Sequence, residues 1–147
     1  MDYTVAIRTL GKAGDKYQKT LDSLMAQSIA PKAIHVYIAE GYDLPKETVG
    51  FEKYIYVKKG MVAQRALQYE DIDTEYILFL DDDVYLPKDG IENLYNNLVR
   101  EKADVISPDV FPNANRSKLG QLQMLLSGRM RARNNDSTWA YKVMRNA

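Results

Sequence analysis

Short apolar runs of strand-forming residues alternate along this 147-residue chain with segments whose apolar residues recur at helical spacing. The predicted strands, each rich in β-branched or aromatic residues, are 3–9, 34–39, 54–57, 76–80, 105–107 and 138–144. The predicted helices begin near Asp15, Met61, Pro87 and Leu119. A strand that follows such a helix usually lies parallel to the strand before it. The pattern therefore predicts an α/β fold with a mainly parallel sheet flanked by helices.

Burial is also predicted by the pattern. The runs 34–39 and 76–80 are almost continuously apolar, which is typical of strands buried in a parallel sheet, and His35 is expected to pack within the first of them. The first helix has Asp15 as its predicted N-cap and an apolar face formed by Tyr17, Leu21, Leu24 and Met25. The helix after Pro87 has an apolar stripe formed by Ile91, Leu94, Tyr95, Leu98 and Val99.

Composition excludes several kinds of site. The chain has no cysteine and a single histidine, which excludes disulfides, thiolate zinc sites, cysteine nucleophiles and histidine clusters. No glycine-rich loop followed by Lys-Ser or Lys-Thr is present, so P-loop chemistry is excluded as well. No apolar run approaches the roughly 18 residues of a membrane span, and the N-terminus lacks a signal-peptide layout, so a cytoplasmic location is expected.

Charge is distributed unevenly along the chain. Residues 1–110 carry thirteen basic and nineteen acidic side chains, whereas seven basic residues and one acidic residue follow from residue 111 onward. A basic end can hold phosphates or other anions, or can attach a protein peripherally to the inner face of a membrane; a solvated loop around 129–136 is the alternative. No nucleic-acid partner is expected.

Three adjacent carboxylates, Asp81, Asp82 and Asp83, directly follow the apolar run 76–80. Such carboxylates repel one another, and a shared cation would relieve that repulsion. Hard divalent cations prefer carboxylate and phosphate oxygens, and Asp81 and Asp83 fall on the same side of an extended segment. The triplet therefore predicts a metal site at a strand end, with an acidic loop as the alternative. A calcium loop does not fit, because Leu86 stands where that loop needs glycine.

Several segments in this order resemble the family 2 glycosyltransferases of the GT-A fold. The resemblance covers nearly the whole chain, and the segments that carry it are VAIRT, LDSLMAQS, VYIAEG, GMVAQRALQ and EYILFLDDDVYLP. The last of them resembles the DxD segment of the family. The resemblance implies a Rossmann-like sheet with a nucleotide-sugar site at the carboxyl ends of its strands.

The resemblance also implies roles for individual residues. Those expected to bind the donor are Arg8, Thr9, Leu10, Glu40, Arg65, Asp81 and Asp82. Asp83, together with Asp81, is expected to hold Mg²⁺ or Mn²⁺. Glu40 stands where the family commonly has the aspartate that reads the base, which leaves the base open, although a UDP-sugar is the expected donor. A surface ion pair is the alternative role for Arg65.

The resemblance further implies transfer of the sugar, with inversion, to a hydroxyl of a glycan or lipid-linked acceptor, as in polysaccharide biosynthesis. Inversion requires a general base, and neither Asp109 nor Asp136, the acids that follow residue 104, matches a family motif for it. The interval 1–147 is therefore expected to be a single donor-binding domain without the acceptor-side segment. Such a chain should bind donor but transfer sugar poorly.

Two other functions remain open. A sugar nucleotidyltransferase would carry a glycine-rich basic loop after the first strand, and Gly11-Lys12-Ala13-Gly14 resembles such a loop only faintly. A non-catalytic module that binds nucleotide sugars or polyanions would need no general base. Turnover of a donor, compared with donor binding alone, would separate this module from a transferase.

Overall fold

The computed structural model describes residues 1–60, 62–64 and 69–108, and the backbone of a strand at 141–144. The chain divides into two compact units, Met1–Glu92 and Asn93–Ala147. In chain order the elements are β1 (Tyr3–Thr9), α1 (Asp15–Met25), β2 (Ala33–Ala39), β3 (Glu52–Val57), β4 (Tyr76–Asp81), α2 (Gly90–Glu101), β5 (Val105–Pro108) and β6 (Tyr141–Met144).

The first unit contains a four-stranded parallel sheet in the order β3-β2-β1-β4. After β1 the chain moves outward through β2 and β3, and β4 then enters on the other side of β1. The strand order thus changes direction at the β1–β4 pair, the kind of point at which α/β sheets bind ligands beyond their carboxyl ends. The predicted parallel α/β sheet is confirmed.

The core of this unit lies between the sheet and α1. Ile7, Ile34 and Val36 of the sheet are fully buried, as are Leu21 and Leu24 of α1. Burial of an aliphatic side chain of this size contributes about 1.5–3 kcal/mol to stability, so these contacts hold the helix on the sheet. This packing fixes the position of the loop between β1 and α1.

Three aromatic rings, one from β2, one from β4 and one from the segment before β4, contact each other in a row. The Tyr69 ring stands edge-on to the rings of Tyr37 and Phe79, at centroid distances of 5.6 and 5.1 Å. Phe79 is nevertheless 51% exposed, and Leu80 is the buried residue of β4. The prediction that β4 is buried is therefore wrong for most of the strand, because in the described sheet β4 pairs only with β1 and lies at the edge.

Helix ends differ in detail from the sequence prediction. Gly14, with φ of 56°, is the N-cap of α1, and Asp15 is the first helical residue rather than the cap. Met25 at the last turn is 45% exposed, and Val99 of α2 is 52% exposed, so neither predicted apolar stripe is buried throughout. Of the helix predicted to begin near Met61, the described residues 62–64 form a turn. The helix predicted from Leu119 lies outside the described residues.

The second unit contains the remainder of α2 and an antiparallel pair of strands, β5 and β6. Pro108 pairs with Tyr141 at one end of this ladder, and Val105 pairs with Met144 at the other. The strands predicted at 105–107 and 138–144 are confirmed over 105–107 and 141–144. The basic segment around 129–136 lies outside the described residues. Within the described part of the chain, neither helix has the length and hydropathy that a membrane crossing requires.

Candidate active site

A cleft of about 630 Å³ opens at the carboxyl ends of β1 and β4. It is lined by the ends of these strands, by the loop that leads into α1, and by the turn after β3. The lining residues are Arg8, Thr9, Leu10, Lys12, Ala13, Lys16, Lys59, Gly60, Gln64, Asp81, Asp82 and Asp83. The position follows from the topology, because parallel strands deliver their following loops to one edge of the sheet.

Thr9, the last residue of β1, connects two of these segments. Its hydroxyl accepts a hydrogen bond from the Gly11 backbone N–H at 2.8 Å and donates one to Asp82 Oδ2 at 2.5 Å. Thr9 is buried, so both bonds are largely protected from water. The side chain therefore fixes the loop after β1 against the acidic triplet.

Asp82 is the most enclosed carboxylate of the triplet. Burial raises the pKa of Asp82 above its usual range; the Thr9 hydrogen bond opposes this shift, and the charges of Asp83 and Asp81 add to it. The Asp82 backbone carbonyl also accepts a hydrogen bond from the Thr20 hydroxyl of α1 at 3.3 Å. Asp82 therefore joins the triplet to β1 and to α1.

Asp81 lies opposite Arg8 in the register of β1 and β4. Arg8 Nη2 donates to Asp81 Oδ1 at 2.8 Å, in an ion pair whose side chains are 19% and 53% exposed respectively. This contact neutralises the first carboxylate of the triplet from within the sheet.

The loop after the triplet is fastened to α1 and to the residues that follow it. Gln27 Nε2 donates to the Pro87 carbonyl at 2.8 Å, and Gln27 Oε1 accepts from the Ile91 backbone N–H at 3.1 Å. Ser23 Oγ accepts from the Leu86 backbone N–H at 3.1 Å. Gln27 is buried, so these bonds hold the segment between the triplet and α2 in a defined path.

Three lysines balance the acidic side of the cleft. Lys12, Lys16 and Lys59 line it, and within the described residues none of them forms an ion pair with a carboxylate. The Nζ atoms of Lys12 and Lys59 each lie 4.9 Å from the centroid of the Tyr42 ring. The Lys59 hydrogen bond and charge, with a smaller contribution from Lys12, lower the pKa of Tyr42.

Comparisons with known proteins identify the family to which the chain belongs. The family model described as glycosyl transferase family 2 matches residues 14–144 of the chain. The chain belongs to this family. Among solved structures, the crystal structure of S. aureus TarS is similar, with a TM-score of 0.51 and 17% sequence identity. That match covers 71% of this chain and 21% of the TarS chain, so the family 2 chain spans 21% of the length of its structural neighbour. The comparison with curated proteins found no match.

Most of the sequence-predicted site residues of this family 2 chain are brought together by the fold. Those that line the cleft are Arg8, Thr9, Leu10, Asp81, Asp82 and Asp83. Glu40 follows β2 at the same edge of the sheet, where its backbone N–H donates to the Val57 carbonyl at 2.8 Å, but it is exposed and is not among the lining residues. Arg65 lies outside the described residues.

The lysines of the cleft were not predicted as site residues. Lys12 and Lys59 stand 47 positions apart, and the sequence does not reveal that both meet the ring of Tyr42. The signal that was available is their position, because each follows a predicted strand whose carboxyl end faces the same edge. Cations at such positions suit anionic ligands in general.

The triplet by itself is only a partial cation site. Among the described residues, no three acidic or histidine side chains are grouped so that they could hold a metal ion. Asp81 is paired with Arg8 and Asp82 is bonded to Thr9, whereas the Asp83 carboxylate has no such partner among the described residues. One or two carboxylates fit Mg²⁺ when phosphate oxygens complete its coordination. The donor set thus fits a cation that is shared with a phosphate ligand.

Proposed function

We propose that the cleft binds a nucleoside-diphosphate sugar and that the family 2 chain contributes this donor site to sugar transfer with inversion. The observation that carries the proposal is the placement of three lysines and three aspartates around one cleft at the β1–β4 switch point. A diphosphate ester matches this arrangement because it needs cationic groups around its oxygens. A neutral ligand would gain nothing from them.

The chemistry concerns the charge of the leaving group. As the bond between the anomeric carbon and the diphosphate breaks, negative charge grows on the phosphate oxygens. Groups fixed beside those oxygens before the reaction stabilise that charge without further reorganisation. Lys12, Lys16 and Lys59 are proposed to do this, and each is positioned by a strand end or by the start of α1.

A divalent ion, Mg²⁺ or Mn²⁺, would be held by Asp83 and Asp81. When bound, it supplies electrostatic stabilisation of the leaving diphosphate. The hydrogen bond between Thr9 and Asp82 keeps the triplet against the loop after β1, and Asp83 is part of the cleft lining there. The acidic triplet is thereby assigned the role of the DxD segment.

The nucleoside is assigned to the strand ends beside the triplet. Thr9 and Leu10 are proposed to contact it, with Arg8 acting through Asp81. Arg65 is proposed to contact the donor, and Glu40 to lie near the base, beyond the cleft lining. We propose uridine as the base, and a glycan or lipid-linked hydroxyl, reached at the membrane surface, as the acceptor.

We assign the general base for the acceptor to none of the described residues, and we propose that residues 1–147 act as a donor-binding domain. Positioning of both reactants contributes a large part of enzymatic rate, and general acid–base catalysis contributes about 10²–10⁴-fold. A chain that holds only the donor should therefore bind it without efficient transfer. Slow hydrolysis of the donor by water is compatible with this site.

The test is calorimetric titration with UDP, GDP, CDP and dTDP and with their sugars, with and without Mn²⁺. Wild type is expected to bind UDP best, and Lys12→Gln with Lys59→Gln should weaken UDP binding by about 10-fold or more, because two cations are removed from the cleft. Lys32→Gln is the matched control, since Lys32 pairs with Asp2 and Asp73 away from the cleft.

The outcomes separate the candidate functions. Absence of binding for every nucleotide, with and without Mn²⁺, would contradict the proposal. The non-catalytic binding module would be supported if the protein binds the donor but neither hydrolyses it nor transfers the sugar to added glycan acceptors. Formation of the sugar nucleotide from a sugar phosphate and a nucleoside triphosphate would support the nucleotidyltransferase.

A further inference from the structure

Among the described basic residues that line the cleft, Arg8 is the one that belongs to a strand of the sheet. It occupies the penultimate position of β1 and is paired in register with Asp81 at the end of β4. Its side chain is mostly buried, Nη2 donates to Asp81 Oδ1 at 2.8 Å, and its buried Nε has no hydrogen-bond partner among the described residues. The free-energy cost of taking a guanidinium out of water in such a position is offset by its interaction with the carboxylate that it faces.

The carboxylate that Arg8 faces belongs to the triplet. With Asp81 paired to Arg8 and Asp82 bonded to Thr9, two of the three carboxylates have partners within the protein. Among the described residues, the lining contains four basic side chains against these three acids. A free divalent cation that approaches Asp83 therefore meets more positive than negative charge at the cleft.

A bound diphosphate changes this balance. It adds two or more negative charges between the lysines and the triplet, and its oxygens are ligands that Mg²⁺ and Mn²⁺ prefer alongside one or two carboxylates. The net charge around Asp83 then becomes negative, which favours binding of the cation. The order of binding thus follows from which side chains surround the triplet.

We propose that Arg8 is a positioning residue that acts as the internal counter-ion of the triplet, so that the site takes a divalent cation only together with a diphosphate. The inference rests on the proposed function and goes beyond it, because it assigns the binding order to one side chain. Arg8 holds Asp81 in place and lowers the affinity of the empty cleft for the free metal. It simultaneously adds positive charge that favours the diphosphate.

The predicted signature is a pair of opposite effects in one variant. Arg8→Gln should bind free Mn²⁺ roughly tenfold more tightly than wild type, since a positive charge near the ion has been removed. The same variant should bind UDP more weakly than wild type in the absence of metal. A residue with only a structural role would weaken both or neither.

The experiment measures Mn²⁺ binding by electron paramagnetic resonance and UDP binding by calorimetry, each ligand alone and both together. Arg8→Met is the second variant, because it keeps much of the aliphatic length that packs in the sheet. Lys32→Gln is the control, since it removes one positive charge away from the cleft. A thermal melt establishes that each variant is folded.

Free Mn²⁺ affinity that is unchanged or weaker in the folded Arg8 variants would overturn the inference. If neither variant folds, wild type still tests the joint binding on which the inference depends: Mn²⁺ should bind at least about tenfold more tightly with UDP present, and by linkage Mn²⁺ should improve UDP binding by the same factor. Equal Mn²⁺ affinity with and without UDP would overturn it. Failure of every protein to bind UDP would instead overturn the proposed function, while the Arg8 effect on free Mn²⁺ would still be measured.

Discussion

At the scale of single residues, the candidate site depends on side chains that serve two segments at once. Thr9 is the clearest case, because its hydroxyl accepts from the loop after β1 and donates to the triplet. A sequence pattern could place Thr9 at a strand end, but not reveal that Asp82 is its partner 73 positions away. Such long-range pairs are decided by strand order, which places β4 beside β1.

His35 gives a prediction at this scale. It is buried in β2, and burial, reinforced by the charge of Lys53 and opposed by Asp71 and Asp73, lowers the pKa of His35 below its usual value of 6.5. The neutral imidazole is therefore favoured in the folded state. The unfolded chain binds the proton more readily, so stability is lost as the pH falls below 6.5 through the folded-state pKa.

The measurement is the free energy of unfolding in urea at pH 7.5, 6.5 and 5.5. Wild type should lose stability over this range, with a slope from this group of at most about 1.4 kcal/mol per pH unit. His35→Gln, which keeps a polar side chain but cannot titrate, should show a shallower loss. Equal slopes for the two proteins would contradict the assignment to His35.

At the scale of elements, two loops at the carboxyl edge meet at Gly11. Its φ is 68°, and a Cβ atom there would lie 2.4 Å from the Asp43 carbonyl oxygen. The loop after β1 can therefore approach the loop after β2 only because residue 11 has no side chain. This contact brings Lys12 towards Tyr42.

Gly11→Ala should consequently destabilise the fold and weaken UDP binding. Gly50→Ala is a matched control, because Gly50 also has positive φ, 91°, but has open space where a Cβ would be added. Backbone strain costs about 1–3 kcal/mol at either position, and the clash should add a similar amount at Gly11 alone. Equal loss of unfolding free energy in urea for the two variants would show that the two loops do not need this close approach.

The strands were the most predictable elements. The run predicted at 3–9 is β1 with the same bounds, and the run at 34–39 is β2 with one residue added, because continuous apolar runs are typical of buried parallel strands. The exposure of β4 could not be predicted in this way, since the apolar run 76–80 resembles a central strand. Its position at the edge of the described sheet is a property of strand order, not of local sequence.

In the candidate site, the aspartates could be predicted from the sequence, whereas the ion pair and the lysines could not. Asp81, Asp82 and Asp83 stand out because three carboxylates directly follow an apolar run, and their place in the cleft agrees with that pattern. The ion pair between Arg8 and Asp81 was not predicted, because it depends on the register between two strands. The positions of the lysines in the cleft were likewise not predicted, because they depend on how the loops that carry them pack together.

At the scale of the whole molecule, the cleft proposed as the donor site of this family 2 chain combines basic and acidic side chains. In the part of the chain that the structure describes, four basic side chains and three acidic ones line this cleft, so neither a free anion nor a free cation satisfies all of them. A diphosphate together with a divalent cation does satisfy them. The central claim is therefore that the two ligands bind together and that Asp83 connects them.

The most direct test is calorimetric titration of UDP into wild type and Asp83→Ala, each with and without Mn²⁺. The control is Asp73→Ala, which removes an exposed carboxylate that pairs with Lys32 away from the cleft. Wild type and the control should bind UDP at least about tenfold more tightly with Mn²⁺, a coupling of about 1.4 kcal/mol. Asp83→Ala should keep the metal-free affinity that the lysines provide and lose the increase due to Mn²⁺. An increase of the same size in Asp83→Ala as in wild type would show that Asp83 does not connect the two ligands.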